Sequence, residues 1–151
     1  MKYIRIAFLR ESGKTPKVLV QKLFNNKLML PGGMYEKEDF HIFRTASREL
    51  LEETHIDQKT IEQITLSLCC SKRLVLKWEN NVDTVFLLPW LPTYKKIQKR
   101  NKKDSEIIDM FWIPLPALVA GEYDQFLYDN IKKACVEIYT WLTIHCTVRG
   151  G

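Results

Sequence analysis

Two short runs constrain this chain more than any other feature: Pro-Gly-Gly at 31–33 and Arg-Glu-Leu-Leu-Glu-Glu at 48–53. The first is typical of a tight turn. The second predicts a helix with Glu49, Glu52 and Glu53 on one side, because residues three and four apart are neighbours at about 100° of turn per residue. Three carboxylates so close repel one another. A hard divalent cation such as Mg²⁺ takes oxygen ligands and relieves that repulsion, and it can then bind a diphosphate and activate a water molecule.

The two runs together resemble the Nudix hydrolase box, and on them the chain is identified as a member of that family. The family pattern is Gly, five residues, Glu, seven residues, then Arg-Glu-apolar-x-Glu-Glu-x-Gly-apolar. Gly33 matches the first glycine and 48–53 match the central part. Three positions depart from the pattern: Asp39 stands for Glu, Phe40–Ser47 supplies eight residues rather than seven, and His55 stands for the closing Gly.

Each departure from the family pattern predicts a local feature of the structure. The catalytic helix is expected to begin near Asp39, as its N-cap, and to end near His55. The extra residue then falls in the transition from loop to helix, where it leaves the catalytic face unturned. Glu38 could equally take the role assigned to Asp39. His55 is expected at the left-handed C′ position, which is usually Gly, so that His55→Gly would stabilise the protein or leave it unaffected.

The resemblance implies hydrolysis of a nucleoside diphosphate linked to another group, with Mg²⁺ or Mn²⁺ as cofactor. The implied catalytic residues are Arg48, Glu49, Glu53 and Glu106. The implied metal ligands are Glu49, Glu52, Glu53 and the carbonyl of Gly33. Arg48 is expected to orient a helix carboxylate with its planar fork. The general base stays open between Glu49 and Glu106, which precedes the last strand.

Substrate recognition is less specified by the sequence. The candidates are Arg5, Phe24, Asp39 and Trp78, of which the two aromatic residues offer a face on which a nucleobase could stack. Aromatic residues in strands are nevertheless more often part of the core. The expected partner is a nucleotide, and the chain is expected to act as a monomer or a homodimer.

Three functions compete. The first is a diphosphatase acting on a (d)NTP or a related small nucleotide. The second is removal of a cap or 5′ group from RNA by means of the basic segment 95–103. The third is a Nudix-fold binding or regulatory module with weakened catalysis, and the three glutamates that remain in place argue against it.

Charge and length set the broad class. Six of the positive charges lie in the basic segment 95–103, and without them the net charge of +5 would be −1. A chain of 151 residues fits one domain, expected over 1–147, with a tail at 148–151. The N-terminus lacks the core of a signal peptide, no stretch is long and apolar enough to span a membrane, and the cysteines have no metal-binding spacing, so a reducing, cytoplasmic location is expected.

The remaining pattern predicts an α+β fold, the Nudix-type α/β/α sandwich with a mixed central sheet. Helices are expected over 39–55 and 124–146, where apolar residues recur at three- and four-residue steps. The basic segment is expected to be a loop, and Cys69 and Cys70 to face opposite sides of a strand. The predicted strands are 2–9, 17–24, 27–30, 64–70, 73–78, 82–90 and 107–113.

Overall fold

The computed structural model describes residues 1–12, 15–91, 98–99 and 106–150. The strands in that part of the chain are β1 (Lys2–Ser12), β2 (Thr15–Leu23), β3 (Leu28–Met29), β4 (Gly32–Met34), β5 (Thr54–His55), β6 (Lys72–Trp78), β7 (Asn81–Pro89), β8 (Gln98–Lys99) and β9 (Ile107–Pro114). The helices are α1 (Ile42–Glu53), α2 (Gln58–Cys70), α3 (Leu115–Val119) and α4 (Asp129–Gly150), with 3-10 turns at Lys37–Asp39 and Asp124–Phe126.

Seven strands form a mixed sheet that splits along part of its length. β1 runs parallel to β7, while β6 pairs antiparallel with β7 and β9 pairs antiparallel with β2. β1 and β2 pair with each other only from Leu9 to Ser12 of β1. At their other ends β3 pairs with β2 and β4 pairs with β1, so the chain 28–34 crosses the gap between them. The buried polar side chains of Arg5 on β1 and Gln21 on β2 lie at this split.

Each face of the sheet is covered by helices, because alternate side chains of every strand point to opposite faces. On one face α3 and α4 pack on Ala7, Val18 and Val85. On the other face α1 and α2 pack on Ile4, Phe8 and Leu19. The predicted α+β sandwich with a mixed central sheet is therefore confirmed.

One element was predicted with the wrong type. Residues 64–70 are not a strand but the second half of α2, whose buried Ile61, Ile64 and Leu68 recur at steps of three and four. The helix begins at the N-cap Asp57, whose side chain accepts the Thr60 N–H at 2.7 Å. Cys69 and Cys70 consequently do not point to opposite faces of a sheet, and both are exposed at the end of the helix.

Only Gln98 and Lys99 of the basic segment belong to the described residues. They form β8 and pair antiparallel with β5, directly after the catalytic helix. The rest of that segment lies outside the described residues. The backbone of α4 continues to Gly150, and the domain boundary at 147 remains a prediction. None of the helices described here is long and apolar enough to cross a membrane.

Candidate active site

The glycine turn brings β4 close to the catalytic helix. Gly32 pairs with Arg5 of β1 and has φ +144°, a conformation that favours glycine, and a Cβ there would overlap the backbone carbonyl of Ile4. At Gly33 a Cβ would overlap the carboxylate of Glu49. The two glycines are therefore needed for different reasons: Gly32 for the backbone of the sheet, and Gly33 for the approach of a functional side chain.

The catalytic helix begins later than the sequence predicts. Asp39 ends a 3-10 turn rather than capping α1, and the N-cap of α1 is His41. Phe40, between them, has φ +65° and is 78% exposed. This bulge accommodates the extra residue of the box without disturbing the helix face that follows.

The helix also ends differently. Its C-cap Thr54 is extended, with φ −133°, and the Thr54 hydroxyl donates to the Leu50 carbonyl. His55 belongs to β5, and positive φ among described non-glycine residues occurs only at Asn26 and Phe40. The prediction of a left-handed C-cap at His55 is wrong, because the chain directly after the helix is extended and pairs with β8.

Four glutamates line a cleft of about 340 Å³ at the split in the sheet. Three of them, Glu49, Glu52 and Glu53, project from α1, and the fourth, Glu106, directly precedes β9. The walls are completed by residues of β1, β2 and the glycine turn, chiefly Tyr3, Arg5, Gln21, Leu23, Gly32 and Gly33.

Ionisation is disfavoured for two of the carboxyl groups in this cleft. Burial, and next the charge of Glu49, raise the pKa of Glu53 to about 8, although the Gly32 N–H donates to Glu53 Oε1 at 3.3 Å. Burial is also the largest cause that raises the pKa of Glu49, and Glu52 adds to it. A cation placed among these groups would remove their repulsion.

Arg48 organises the helix carboxylates from outside the cleft. Its Nε and Nη2 donate to the two oxygens of Asp39 at 2.9 and 3.0 Å. Its Nη1 donates to Glu49 at 3.0 Å and to Glu52 at 3.4 Å. The guanidinium is thus a rigid fork that fixes two helix glutamates relative to the loop.

Asp39 serves as the buried anchor of Arg48. It also accepts from the Thr45 hydroxyl at 3.0 Å and the Glu36 N–H at 2.9 Å, and Glu38 beside it is exposed. The hydrogen bonds from Arg48 are the largest cause that lowers the pKa of Asp39 to about 2. Asp39 was expected to contact substrate, but it does not line the cleft.

Of the other residues expected to contact substrate, some lie at the cleft and one does not. Arg5 lines the cleft. Phe24 is 69% exposed near its rim, where its N–H donates to the Glu106 carbonyl at 3.1 Å. Trp78 lies away from the cleft, with the Lys133 ammonium 4.7 Å from its ring centroid. Gln21 also lines the cleft, although it belongs to no recognised motif. The sequence marks it only as a polar residue directly after the apolar run 18–20.

The donor set suits a hard cation. In the present side-chain arrangement, no three carboxylates, histidines or cysteines of the described residues converge closely enough to hold an ion. All four acidic residues nevertheless line one cleft, and they supply only oxygen. Oxygen donors with excess negative charge, beside a glycine turn that leaves room for close approach, fit Mg²⁺ or Mn²⁺.

Comparison with known proteins agrees with this geometry. The NUDIX domain model matches residues 2–134, and no curated protein is detectably similar to the chain. Among solved structures, the NUDIX domain of Shewanella oneidensis NrtR complexed with ADP ribose aligns with a TM-score of 0.60 and 18% identity, over 94% of this chain and 88% of that chain. A C. elegans Ap4A hydrolase binary complex aligns with a TM-score of 0.59 and 16% identity, over 94% and 97%.

A third structure is a bifunctional NMN adenylyltransferase/ADP ribose pyrophosphatase from Francisella tularensis, complexed with AMP and a Mn ion. It aligns with a TM-score of 0.58 and 21% identity, over 97% of this chain but only 42% of that chain. These similarities concern the fold, whereas the family model spans most of the sequence. The chain therefore belongs to the NUDIX domain family, that of the Nudix hydrolases.

Proposed function

We propose that the protein hydrolyses the diphosphate linkage of a nucleotide, a (d)NTP or a related small nucleotide, with the help of a divalent cation. The observation that carries this proposal is that four glutamates line one cleft at the split in the sheet. A cleft of about 340 Å³ lies within the range of small-molecule binding sites.

In this proposal Glu49, Glu52, Glu53 and the Gly33 carbonyl hold Mg²⁺ or Mn²⁺. Such an ion, when bound, polarises a phosphoryl oxygen and lowers the pKa of a water molecule. The protein contributes the orientation of the ligands. Arg48 holds Glu49 and Glu52, and the Gly32 N–H holds Glu53.

Glu106 is the better candidate for the general base. Glu49 is ion-paired with Arg48 at 3.0 Å and packed over Gly33, so it is held as a ligand. Glu106 is exposed, stands on another wall of the same cleft and makes no ion pair with a described residue. A carboxylate that is free to reorient can accept the proton of an attacking water.

The solved relatives support a class of substrate rather than one compound. Those structures concern ADP ribose, Ap4A and AMP, and all three are nucleotides with at least one phosphate. The RNA alternative gains one observation: Lys99 pairs with Thr54, the residue after Glu53, so Gln98 and Lys99 of the basic segment lie beside the end of the catalytic helix. RNA therefore remains the second candidate substrate.

A substrate panel tests the proposal. NTPs, dNTPs, 8-oxo-dGTP, ADP-ribose, dinucleoside polyphosphates and capped RNA would be incubated with Mg²⁺ or Mn²⁺ and, as a control, with EDTA. We expect cation-dependent cleavage of a small nucleotide that EDTA abolishes. Preferential cleavage of capped RNA would favour the second candidate. Binding of nucleotide without cleavage of any compound would contradict the enzymatic proposal and favour a binding module.

A further inference from the structure

The cleft contains buried polar atoms that the protein does not satisfy. Gln21 is 2% exposed and Arg5 is 4% exposed, and both line the cleft. Gln21 Nε2 and Arg5 Nε have no hydrogen-bond acceptor among the described residues. A buried donor without an acceptor is costly, and its presence in a native protein calls for a partner that the chain itself does not supply.

Gln21 is unusual for its position. Leu19, two residues earlier on β2, faces the core that α1 and α2 cover, and strand alternation places Gln21 on the same face. Its register neighbours are Met29 of β3 and Met110 of β9. Its neighbours on the adjacent strands are thus apolar, whereas its side chain lines the same acidic cleft as Glu53.

The protein satisfies the Gln21 amide donor only in part. An interaction of hydrogen-bond type with Gln21 lowers the pKa of Glu53, but the contact of Nε2 falls outside full hydrogen-bond geometry. Glu53 Oε1 already accepts the Gly32 N–H. Arg5 is ion-paired with buried Asp83, but its Nε lies 3.6 Å from Asp83 Oδ1, too far for a hydrogen bond, so that N–H also remains available to a ligand.

We propose that Gln21 is a substrate-binding residue whose amide N–H donates to a non-bridging oxygen of the bound diphosphate, with Arg5 as a second donor. This inference rests on the proposed function for the identity of the ligand. Both residues offer donors, and a diphosphate offers only acceptors. Their place beside Glu53 puts them where a cation-bound diphosphate would lie.

The test replaces the amide by an apolar side chain of similar size, Gln21→Met. The matched control is Gln63→Met, at an exposed position of α2 away from the cleft. Both variants and the wild type would be titrated calorimetrically with α,β-methylene-ADP and Mg²⁺, a nucleoside diphosphate that cannot be cleaved at that linkage. Mn²⁺ affinity and the melting temperature of the ligand-free protein would be measured alongside.

For Gln21→Met we expect roughly tenfold weaker binding of α,β-methylene-ADP, because one hydrogen bond to the ligand is lost. Mn²⁺ affinity should stay unchanged. The melting temperature of the ligand-free protein should rise by roughly 2–4 °C, because an unsatisfied buried donor is removed. Gln63→Met should match the wild type in all three measurements.

Unchanged binding of α,β-methylene-ADP would overturn the inference. A joint fall in Mn²⁺ affinity and melting temperature would overturn it too, because Gln21 would then support Glu53 and the core rather than the ligand. The assay needs no turnover. If no nucleotide were cleaved in the panel while Gln21→Met still lost ligand affinity, the proposed reaction would fail and the binding role would stand.

Discussion

Asp39 shows how a departure from the family pattern is accommodated by its surroundings. The 3-10 turn Lys37–Asp39 and the bulge at Phe40 bring its shorter side chain into a buried position against Arg48. The carboxylate accepts hydrogen bonds on both oxygens. An aspartate thus anchors the arginine where the family pattern has a glutamate.

The Asp39–Arg48 pair predicts a specific dependence of stability on pH. The pKa of Asp39 is about 2, below its ordinary value of 3.8. A lowered carboxyl pKa contributes stability above the ordinary value, and this contribution is lost as the pH falls from about 4 through 2. The free energy of unfolding should therefore decrease by about 2 kcal/mol over that window because of Asp39 alone.

Urea denaturation of the wild type and Asp39→Asn at pH 6, 4 and 2 measures this contribution. Asp39→Asn should be less stable than the wild type at pH 6, and the difference should shrink towards pH 2. Asp109→Asn, at an exposed position of β9, is the control and should follow the wild type. A difference that stays constant with pH would contradict the assignment.

The sequence identified charged site residues better than neutral ones. Glu49, Glu52, Glu53 and Glu106 all line the cleft. The first three share one side of the predicted helix, and the family resemblance implied the fourth. Gln21 gave no such signal. A single neutral amide in an apolar strand can be recognised as a site residue only when the structure shows that its amide nitrogen lacks a hydrogen-bond acceptor.

Among elements, the longer strands and α4 were predicted, but α2 was predicted as a strand, and the short elements β4, β5, β8 and α3 were not predicted. The strands around 73–78 and 82–90 are present as β6 and β7, with a turn at Glu79 and Asn80 between them. In 64–70, Ile, Thr, Ser and Cys have weaker helix preference than Leu, and packing of Ile64 and Leu68 on the sheet decides the outcome. The structure at the end of α1 was also predicted incorrectly because it depends on tertiary contacts: β5 is a strand through its pairing with β8.

We expect alanine substitution to have different effects at the two glycines of β4. In Gly33→Ala the new methyl group meets the end of the flexible Glu49 side chain, which can move aside. The melting temperature should change little, while Mn²⁺ affinity and activity should fall. In Gly32→Ala the methyl group meets the backbone of Ile4, and φ +144° is unfavourable for alanine. That variant should unfold at a clearly lower temperature.

Thermal denaturation and Mn²⁺ titration of the two variants, side by side, separate these effects. Each variant is the control for the other, because both add one methyl group to the same strand. If Gly33→Ala lost as much stability as Gly32→Ala, the role of Gly33 would be in folding rather than in the approach of Glu49.

At the scale of the whole molecule, the sandwich was predictable and the split in its sheet was not. Alternating apolar strands and two amphipathic helices indicate the layers. The divergence of β1 from β2 depends on the chain 28–34 entering between them, and strand preferences do not reveal such a crossing. Yet the split creates the cleft, since it lets Arg5 from one face of the sheet and Glu53 from the other line the same space.

The central claim is that the carboxylates of α1 hold the catalytic cation, and Mn²⁺ binding to Glu53→Gln tests it most directly. Free Mn²⁺ would be followed by electron paramagnetic resonance in titrations of the wild type, Glu53→Gln and the exposed α2 control Glu62→Gln. We predict saturable binding by the wild type and the control. Glu53→Gln should bind at least about tenfold more weakly, with the fold intact and kcat lowered by orders of magnitude. Wild-type Mn²⁺ affinity in Glu53→Gln would contradict the claim.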